Sequence, residues 1–179
     1  MKLFLIALSV LVFTACGYKP SSHYVKNVFE DSVYVEVEVD SAEPENAPFI
    51  RDEMNRLIYT RFKGHVTSKE AAGSSIYVTY GGSSYFPLAY EDGYVTRYRV
   101  TVRVNFTMET KQGTLTKRIA SRVESDIQAS SITSSTLRVE AIRKGLEKAL
   151  DEFIAYVSMK GVMVEEQKKL AEKKGTTSN

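Results

Sequence analysis

The sequence predicts an α+β fold, a two-layer sandwich in which two helices pack on one face of a four-stranded, mainly antiparallel sheet. Two observations predict this fold. Four segments alternate apolar and polar residues, as half-buried strands do, and two other segments repeat apolar residues at helical spacing. The elements follow in the order β-α-β-β-β-α, and two amphipathic helices are enough to cover the apolar face of such a sheet.

The first strand is predicted where four valines alternate with polar side chains: Val33, Val35, Val37 and Val39. A polar loop over residues 41–46 follows. The first helix is predicted from apolar residues on one side: Ile50, Met54, Leu57, Ile58 and Phe62. Asn46 is the expected N-cap, Pro48 is tolerated in the first turn, and Lys63-Gly64 is expected to end the helix.

Three further strands are predicted. Ile76, Val78 and Tyr80 mark the first of them; Gly81-Gly82 predicts a bulge or bend, and residues 85–93 a loop. The longest strand has an apolar face formed by Tyr98, Val100, Val102, Val104, Phe106 and Met108. After a hairpin turn at Lys111-Gln112-Gly113, the return strand points three apolar residues inward: Leu115, Ile119 and Val123.

The last helix is predicted after a Ser/Thr-rich connector at residues 130–136. Its apolar side is formed by Val139, Ile142, Leu146, Leu150, Phe153 and Val157. The folded domain is therefore expected to span residues 32–158. The charged segment 159–179 has few apolar residues, and we predict a disordered tail there.

The N-terminus is typical of an exported protein. Lys2, an apolar run over residues 3–13 and the small residues Thr14-Ala15 precede Cys16, which predicts a signal peptide over residues 1–15. The run is too short to span a bilayer. Phe13-Thr14-Ala15-Cys16 resembles a lipobox, although Phe13 stands where Leu or Val is usual. We therefore expect lipid on Cys16 and a polar tether over residues 16–31. The alternative is a secreted protein with an incidental cysteine.

Composition argues against several other classes of function. The 24 basic and 22 acidic residues nearly balance, so nothing indicates a nucleic-acid partner. The two histidines, His23 and His65, have no Cys or His neighbour at metal-ligand spacing. The sequence contains neither a G-x-S-x-G nucleophile elbow nor a glycine-rich phosphate loop. These observations predict no metal site and no cofactor besides the lipid, and they argue against an enzyme, with a Ser-His-Asp site assembled from distant segments as the alternative that motifs leave open.

Three features resemble the LptE family of lipopolysaccharide-assembly lipoproteins. They are the start Cys16-Gly17-Tyr18, the turn Asp92-Gly93 with the strand from Tyr98 to Thr107, and the order of elements over residues 16–157. The resemblance implies an outer-membrane lipoprotein on the periplasmic side that plugs the LptD β-barrel, supports its assembly and takes part in lipopolysaccharide insertion. It also implies that lipopolysaccharide can bind directly. The alternative is another periplasm-facing lipoprotein, an activator of a cell-wall enzyme or a small ligand-binding module.

Two groups of residues are candidates for contact. Five arginines are expected on the polar sheet face: Arg97, Arg99, Arg103, Arg118 and Arg122. Arginine binds phosphate or carboxylate with a bidentate fork, so they are candidates for lipopolysaccharide or barrel contact. The alternative is cross-strand pairing with Glu36, Glu38 and Glu124.

Four aromatic residues form the second group: Tyr85, Phe86, Tyr90 and Tyr94. They are candidates for a protein interface, or for covering the end of the helical layer. Family members can carry a basic residue in the turn before the long strand. Here that turn, Glu91-Asp92-Gly93, is acidic, so no ligand-contact residue of the family is transferred.

Overall fold

The computed structural model describes residues 21–126 and 131–176, with side chains for residues 23–126 and 136–173. Helices α1 (Ser21–Val25), α2 (Asn46–Leu57) and α3 (Ser131–Thr176) accompany strands β1 (Ser32–Val39), β2 (His65–Val66), β3 (Ser74–Glu91), β4 (Tyr94–Thr110) and β5 (Gly113–Asp126). A π-helical turn, Ile58–Phe62, continues α2, and a 3-10 turn, Lys69–Ala71, precedes β3. The predicted signal peptide and Cys16 lie outside the described residues.

The five strands form one mixed sheet in the order β2-β1-β3-β4-β5. Strands β3, β4 and β5 are antiparallel, whereas β1 runs parallel to both β2 and β3. The α+β class is as predicted, but the four-stranded sheet was wrong by one strand. Strand β2 has two residues, too few to show an alternation. Strand β1 is parallel to β3 because α2 carries the chain back before β3 begins.

Strand β3 is longer than predicted, because residues 85–91 are strand and not loop. The sheet register shifts between Tyr80 and Ser83, so Gly81-Gly82 forms the predicted bulge, with Gly82 at a φ of 79°. Pairing resumes at Ser83 opposite Val102. The chain then reverses at Asp92-Gly93, where both φ angles are positive, as in a type I′ hairpin turn.

The faces of β4 and β5 are as predicted. Val100, Val102, Val104, Phe106 and Met108 are buried on β4. Val35, Ile76 and Met108 are aligned by the register across β1, β3 and β4, so one apolar face continues through the sheet. Helices α2 and α3 both pack on this face, as expected for the predicted two-layer sandwich.

Helix α2 begins one residue earlier than expected from an Asn46 cap. Asn46 is its first residue, and Glu45 occupies the cap position without a side-chain hydrogen bond. Pro48 lies in the first turn, as predicted. The end is also as predicted, since Lys63 adopts a left-handed φ of 56°.

Aromatic rings connect the helices to the sheet. Phe153 of α3 stacks on Phe106 of β4 with centroids 4.1 Å apart, and Phe62 follows at 6.3 Å from Phe153. Phe29, which precedes β1, stacks on Phe62 at 5.2 Å. The core therefore extends from the sheet through both helices to the segment after α1.

Two boundaries of the predicted domain were wrong. The segment assigned to the tether contains α1 and contributes Val25, Val28 and Phe29 to the core, each at most 2% exposed. The segment assigned to a disordered tail continues α3 to Thr176. The two segments meet at Gly161, where an added Cβ would lie 1.9 Å from the Tyr24 carbonyl oxygen. Periodicity in the sequence could not predict this contact, because it depends on a single glycine.

Candidate functional site

The face of the sheet that the helices leave uncovered, called the open face below, carries all five candidate arginines. Arg97, Arg99 and Arg103 lie on β4, and Arg118 and Arg122 lie on β5. They alternate with buried positions such as Val102 and Ile119, so the pleat directs them to the opposite side. Because β5 pairs along its whole length with β4 from Arg97 to Thr110, the structure brings the five arginines together on one surface.

Two of the arginines form ion pairs across the strands. Arg97 Nε donates to Asp126 Oδ1 at 2.7 Å, and Arg99 Nη2 donates to Glu124 Oε1 at 3.3 Å. The hydrogen bond to Asp126 raises the pKa of Arg97. Cross-strand pairing therefore accounts for these two residues: Glu124 is a predicted partner, Asp126 was not predicted, and Glu36 and Glu38 pair with neither arginine. Exposed pairs of this kind add little stability.

The other three arginines make no side-chain hydrogen bond or ion pair within the described ranges. We call Arg103, Arg118 and Arg122 the basic patch. Their cross-strand neighbours on β4 and β5 are uncharged: Ala120, Asn105 and Thr101, respectively. These three guanidinium groups are exposed and keep their hydrogen-bonding capacity for another molecule.

The bulge in β3 leaves space beside the basic patch. An added Cβ on Gly81 would lie 3.7 Å from the Arg103 Cβ, so glycine is the neighbour on that side. Ala120 is the neighbour on the other side. Arg103 thus projects between two residues with little or no side chain, and a flat ligand surface can approach it closely.

Glu38 of β1 lies far from Arg118, the member of the basic patch at the middle of β5. Glu38 aligns with Thr79, Thr79 with Asn105, and Asn105 with Arg118. Three strand spacings therefore separate Glu38 from Arg118, which is about 14 Å. Glu36 instead accepts a hydrogen bond from the Tyr34 hydroxyl at 3.3 Å. The open face is consequently acidic towards β1 and basic towards β5.

The four candidate aromatics do not form one cluster. Tyr85 faces the helices: Tyr98 lies edge-on at 6.4 Å, and the Arg138 guanidinium lies over its ring at 4.7 Å. Phe86 is on the open face, opposite Arg99, and is 64% exposed. Tyr90 and Tyr94 flank the hairpin turn and are 63% and 73% exposed. Coverage of the helical layer is therefore a role for Tyr85 alone.

A groove of about 500 Å³ separates α2 from α3. Its lining is mainly charged and includes Glu53, Arg56, Arg61, Glu147 and Asp151. Arg56 Nε donates to Glu53 Oε2 at 3.0 Å, so part of this charge is already paired. No group of three metal-ligating side chains occurs among the residues that the structure describes.

Fold and site together define a small α+β sandwich protein with an uncovered, charged sheet face. The family model for LptE, described as lipopolysaccharide-assembly, matches residues 34–157, which include the sheet from β1 onward, α2 and the first half of α3. The chain belongs to the LptE family. No curated protein sequence matches the chain significantly.

Solved structures share this fold at low sequence identity. The rare lipoprotein B of Shewanella oneidensis aligns with a TM-score of 0.54 and 16% identity, over 74% of this chain and 98% of that one. Lipoprotein B of Nitrosomonas europaea aligns with a TM-score of 0.52 and 17% identity, over 78% of this chain and 88% of that one. A lipoprotein from Caulobacter crescentus aligns with a TM-score of 0.51 and 9% identity, over 78% of this chain and 93% of that one. At these identities the similarity establishes the fold.

Proposed function

We propose that this chain is an outer-membrane lipoprotein, lipid-anchored on the periplasmic side, that plugs an LptD-type β-barrel and supports its assembly in the lipopolysaccharide translocon. Family membership carries the proposal, because the match spans the sandwich from β1 into α3. Within this role the protein takes part in inserting lipopolysaccharide into the outer leaflet and acts as a structural partner, not as an enzyme.

The shape and polarity of the sandwich suit a plug. Large outer-membrane barrels have polar, wet interiors. The open face offers paired charges at Arg97 and Arg99 and free cations in the basic patch, all on the section where β4 and β5 pair without interruption. A rigid, charged surface of this kind can pair with polar groups of a barrel wall. Phe86, Tyr90 and Tyr94 add exposed aromatic contacts near one end of the same sheet.

The proposed anchor is a covalent lipid on Cys16, five residues before α1. One acyl chain holds a protein only weakly, whereas the three chains of a mature bacterial lipoprotein hold it firmly. Gly17 follows the cysteine in place of the Asp that marks inner-membrane retention, and this supports the outer membrane as the location. No helix in the described ranges combines the length and apolarity needed to cross a bilayer.

Direct contact with lipopolysaccharide is a finer part of the proposal. Its phosphate groups match the guanidinium fork of arginine, and Arg103, Arg118 and Arg122 present three such forks with uncharged cross-strand neighbours. Barrel carboxylates would satisfy the same donors. The acidic turn at Glu91-Asp92 precedes the first residue of β4, whereas Arg118 pairs with Asn105 towards the other end of that strand. The turn therefore adds nothing to this contact.

Affinity purification from detergent-solubilised outer membranes tests the plug role. The lipidated protein should recover a large β-barrel in near one-to-one ratio, because a plug binds its barrel stably. Recovery of a peptidoglycan synthase in place of a barrel would assign the chain to the activators of cell-wall enzymes and reject the proposal.

The anchor has its own test, the substitution Cys16→Ala. Cells fed a radiolabelled fatty acid should label the original protein and leave the variant unlabelled, since no other cysteine exists in the chain. Label in the variant would show that the lipid is attached elsewhere.

A further inference from the structure

The hairpin that joins β3 to β4 extends past the rest of the sheet. The last pair between β1 and β3 joins Val39 to Tyr80, and the last pair between β5 and β4 joins Asp126 to Arg97. Residues 90–95 therefore pair only with each other, and we call them the hairpin tip. The tip extends beyond the last pair of β5 by three residues of β4, which is about 10 Å.

The hairpin tip exposes a tyrosine on each of its two sides. Tyr90 aligns with Val95, and Tyr94 aligns with Glu91. Cross-strand partners share a side of a ribbon and successive residues alternate, so Tyr90 and Tyr94 point to opposite sides. A two-stranded hairpin without further packing is only marginally stable in water. A partner that covers both tyrosines has to contact the tip from two sides, as a cleft does and a flat surface does not.

The unpaired charges of the hairpin tip are both negative. Glu91 and Asp92 make no hydrogen bond or ion pair with any residue that the structure describes. Arg97, the next cation along β4, is already bound to Asp126. The type I′ turn requires positive φ angles at Asp92 and Gly93, which explains those two residues but not Glu91. The tip thus presents two carboxylates beside two tyrosines.

This charge selects one class of partner. Lipopolysaccharide phosphates and anionic phospholipid headgroups have the same sign as the tip, and like charges brought together at an interface weaken binding. Arginine and lysine of a protein surface bind carboxylates and also lie over tyrosine rings. The basic patch of a second copy is cationic, but it lies on a sheet face and would leave one of the two tyrosines uncovered.

We propose that the hairpin tip inserts into a cleft of the LptD-type barrel that is lined by arginine or lysine. The proposal rests on the plug role proposed above and names the contact that orients the plug. Glu91 and Asp92 bind the cations of the cleft, while Tyr90 and Tyr94 pack against its two walls. Because the tip lies at one end of the sheet, its insertion fixes which end of the sandwich faces the cleft.

Photochemical cross-linking in cells tests this contact on the full-length lipidated protein. Tyr94 is replaced by the photoreactive residue p-benzoylphenylalanine, and irradiation should join the protein to the barrel. Adding Glu91→Gln with Asp92→Asn should lower the yield several-fold, because neutral amides lose the attraction to cations. Asn-Gly is a favoured pair for the type I′ turn, so the hairpin is retained. The matched control, Glu152→Gln with Glu166→Gln, removes two exposed carboxylates from α3 and should leave the yield unchanged.

The possible outcomes separate this proposal from the plug role. If the barrel copurifies but position 94 gives no cross-link, the plug role stands and the insertion of the tip is rejected. A cross-link to lipopolysaccharide or to a second copy also rejects it. Equal yields of barrel cross-link in the neutralised variant and in the control would reject a cationic cleft. Failure to recover a barrel at all rejects the plug role, and this proposal with it.

Discussion

At the scale of single residues, Gly145 determines how closely α3 approaches the sheet. An added Cβ there would lie 2.6 Å from Val102 Cγ2, in the centre of β4. The Ser121 hydroxyl of β5 donates to the Gly145 carbonyl oxygen, so helix and sheet are also joined by a buried hydrogen bond. Glycine inside a helix costs about 1 kcal/mol relative to alanine. Its presence here is explained by the close packing it permits.

The substitution Gly145→Ala should therefore destabilise the protein despite its better helix propensity. Displacing a β4 valine in a packed core costs about 1–3 kcal/mol, more than the propensity gain. The free energy of unfolding from urea titration measures the result. Glu152→Ala, at an exposed position on the same helix, is the control and should change stability by less than about 0.5 kcal/mol. A Gly145→Ala variant more stable than the original would contradict this packing.

Tyr80 provides a residue-scale prediction about pH. Its hydroxyl donates to the Glu43 carboxylate, Ser83 Oγ donates to the other oxygen of Glu43 at 2.6 Å, and burial raises the pKa of Tyr80 above its usual value. The neutral phenol is thus the folded form. The stability it contributes is complete below about pH 10, the unfolded pKa, and declines at higher pH.

Replacing this hydroxyl should change the response to alkali. Tyr80→Phe should cost about 1.5–3 kcal/mol at neutral pH, the range for a hydrogen bond to a charged group. Above about pH 10 the original protein should lose stability more steeply than the variant, because the variant has no buried phenol to ionise. Unfolding midpoints of both proteins, measured from neutral pH to above about pH 10, test this. If the two midpoints fall in parallel with pH, ionisation of Tyr80 does not contribute to the loss of stability.

At the scale of elements, the sequence predicted those features that depend on the alternation of apolar and polar residues. The faces of β4 and β5 followed from an unbroken alternation, and so did the placement of all five arginines on one side. The second half of β3 was missed because Gly81-Gly82 and Pro87 are loop signals, while pairing with β4 overrides them. Which arginines are paired also escaped prediction, since the partner of Arg97 depends on the register that places Asp126 opposite it.

The docking of α1 was missed for a different reason. Its five residues show no period, and the contact depends on Gly161, which is far away in sequence. Gly161→Ala should release α1, because the new Cβ would overlap the Tyr24 carbonyl oxygen. Hydrogen exchange should then become faster over residues 21–29 and stay slow in β4. Unchanged protection of residues 21–29 would show that α3 shifts to accommodate the methyl group.

At the scale of the whole molecule, the two faces of the sheet have separate roles. The covered face holds the fold together, through contacts such as Phe106 on Phe153. The open face has little influence on stability, because its ion pairs are exposed. Substitutions on the open face should therefore affect association while leaving folding nearly intact, provided that this face binds a partner.

Neutralising the basic patch tests that division. The triple variant Arg103→Gln, Arg118→Gln, Arg122→Gln should bind lipopolysaccharide about tenfold more weakly, the loss expected for one charge-assisted hydrogen bond to phosphate. The control, Arg97→Gln with Arg99→Gln, also removes cations from β4, but its arginines are already paired with Asp126 and Glu124. Binding by the purified protein, measured beside urea unfolding, should weaken more in the triple variant than in the control. Equal losses in both would indicate a diffuse charge effect, and loss of stability without loss of binding would make the patch structural.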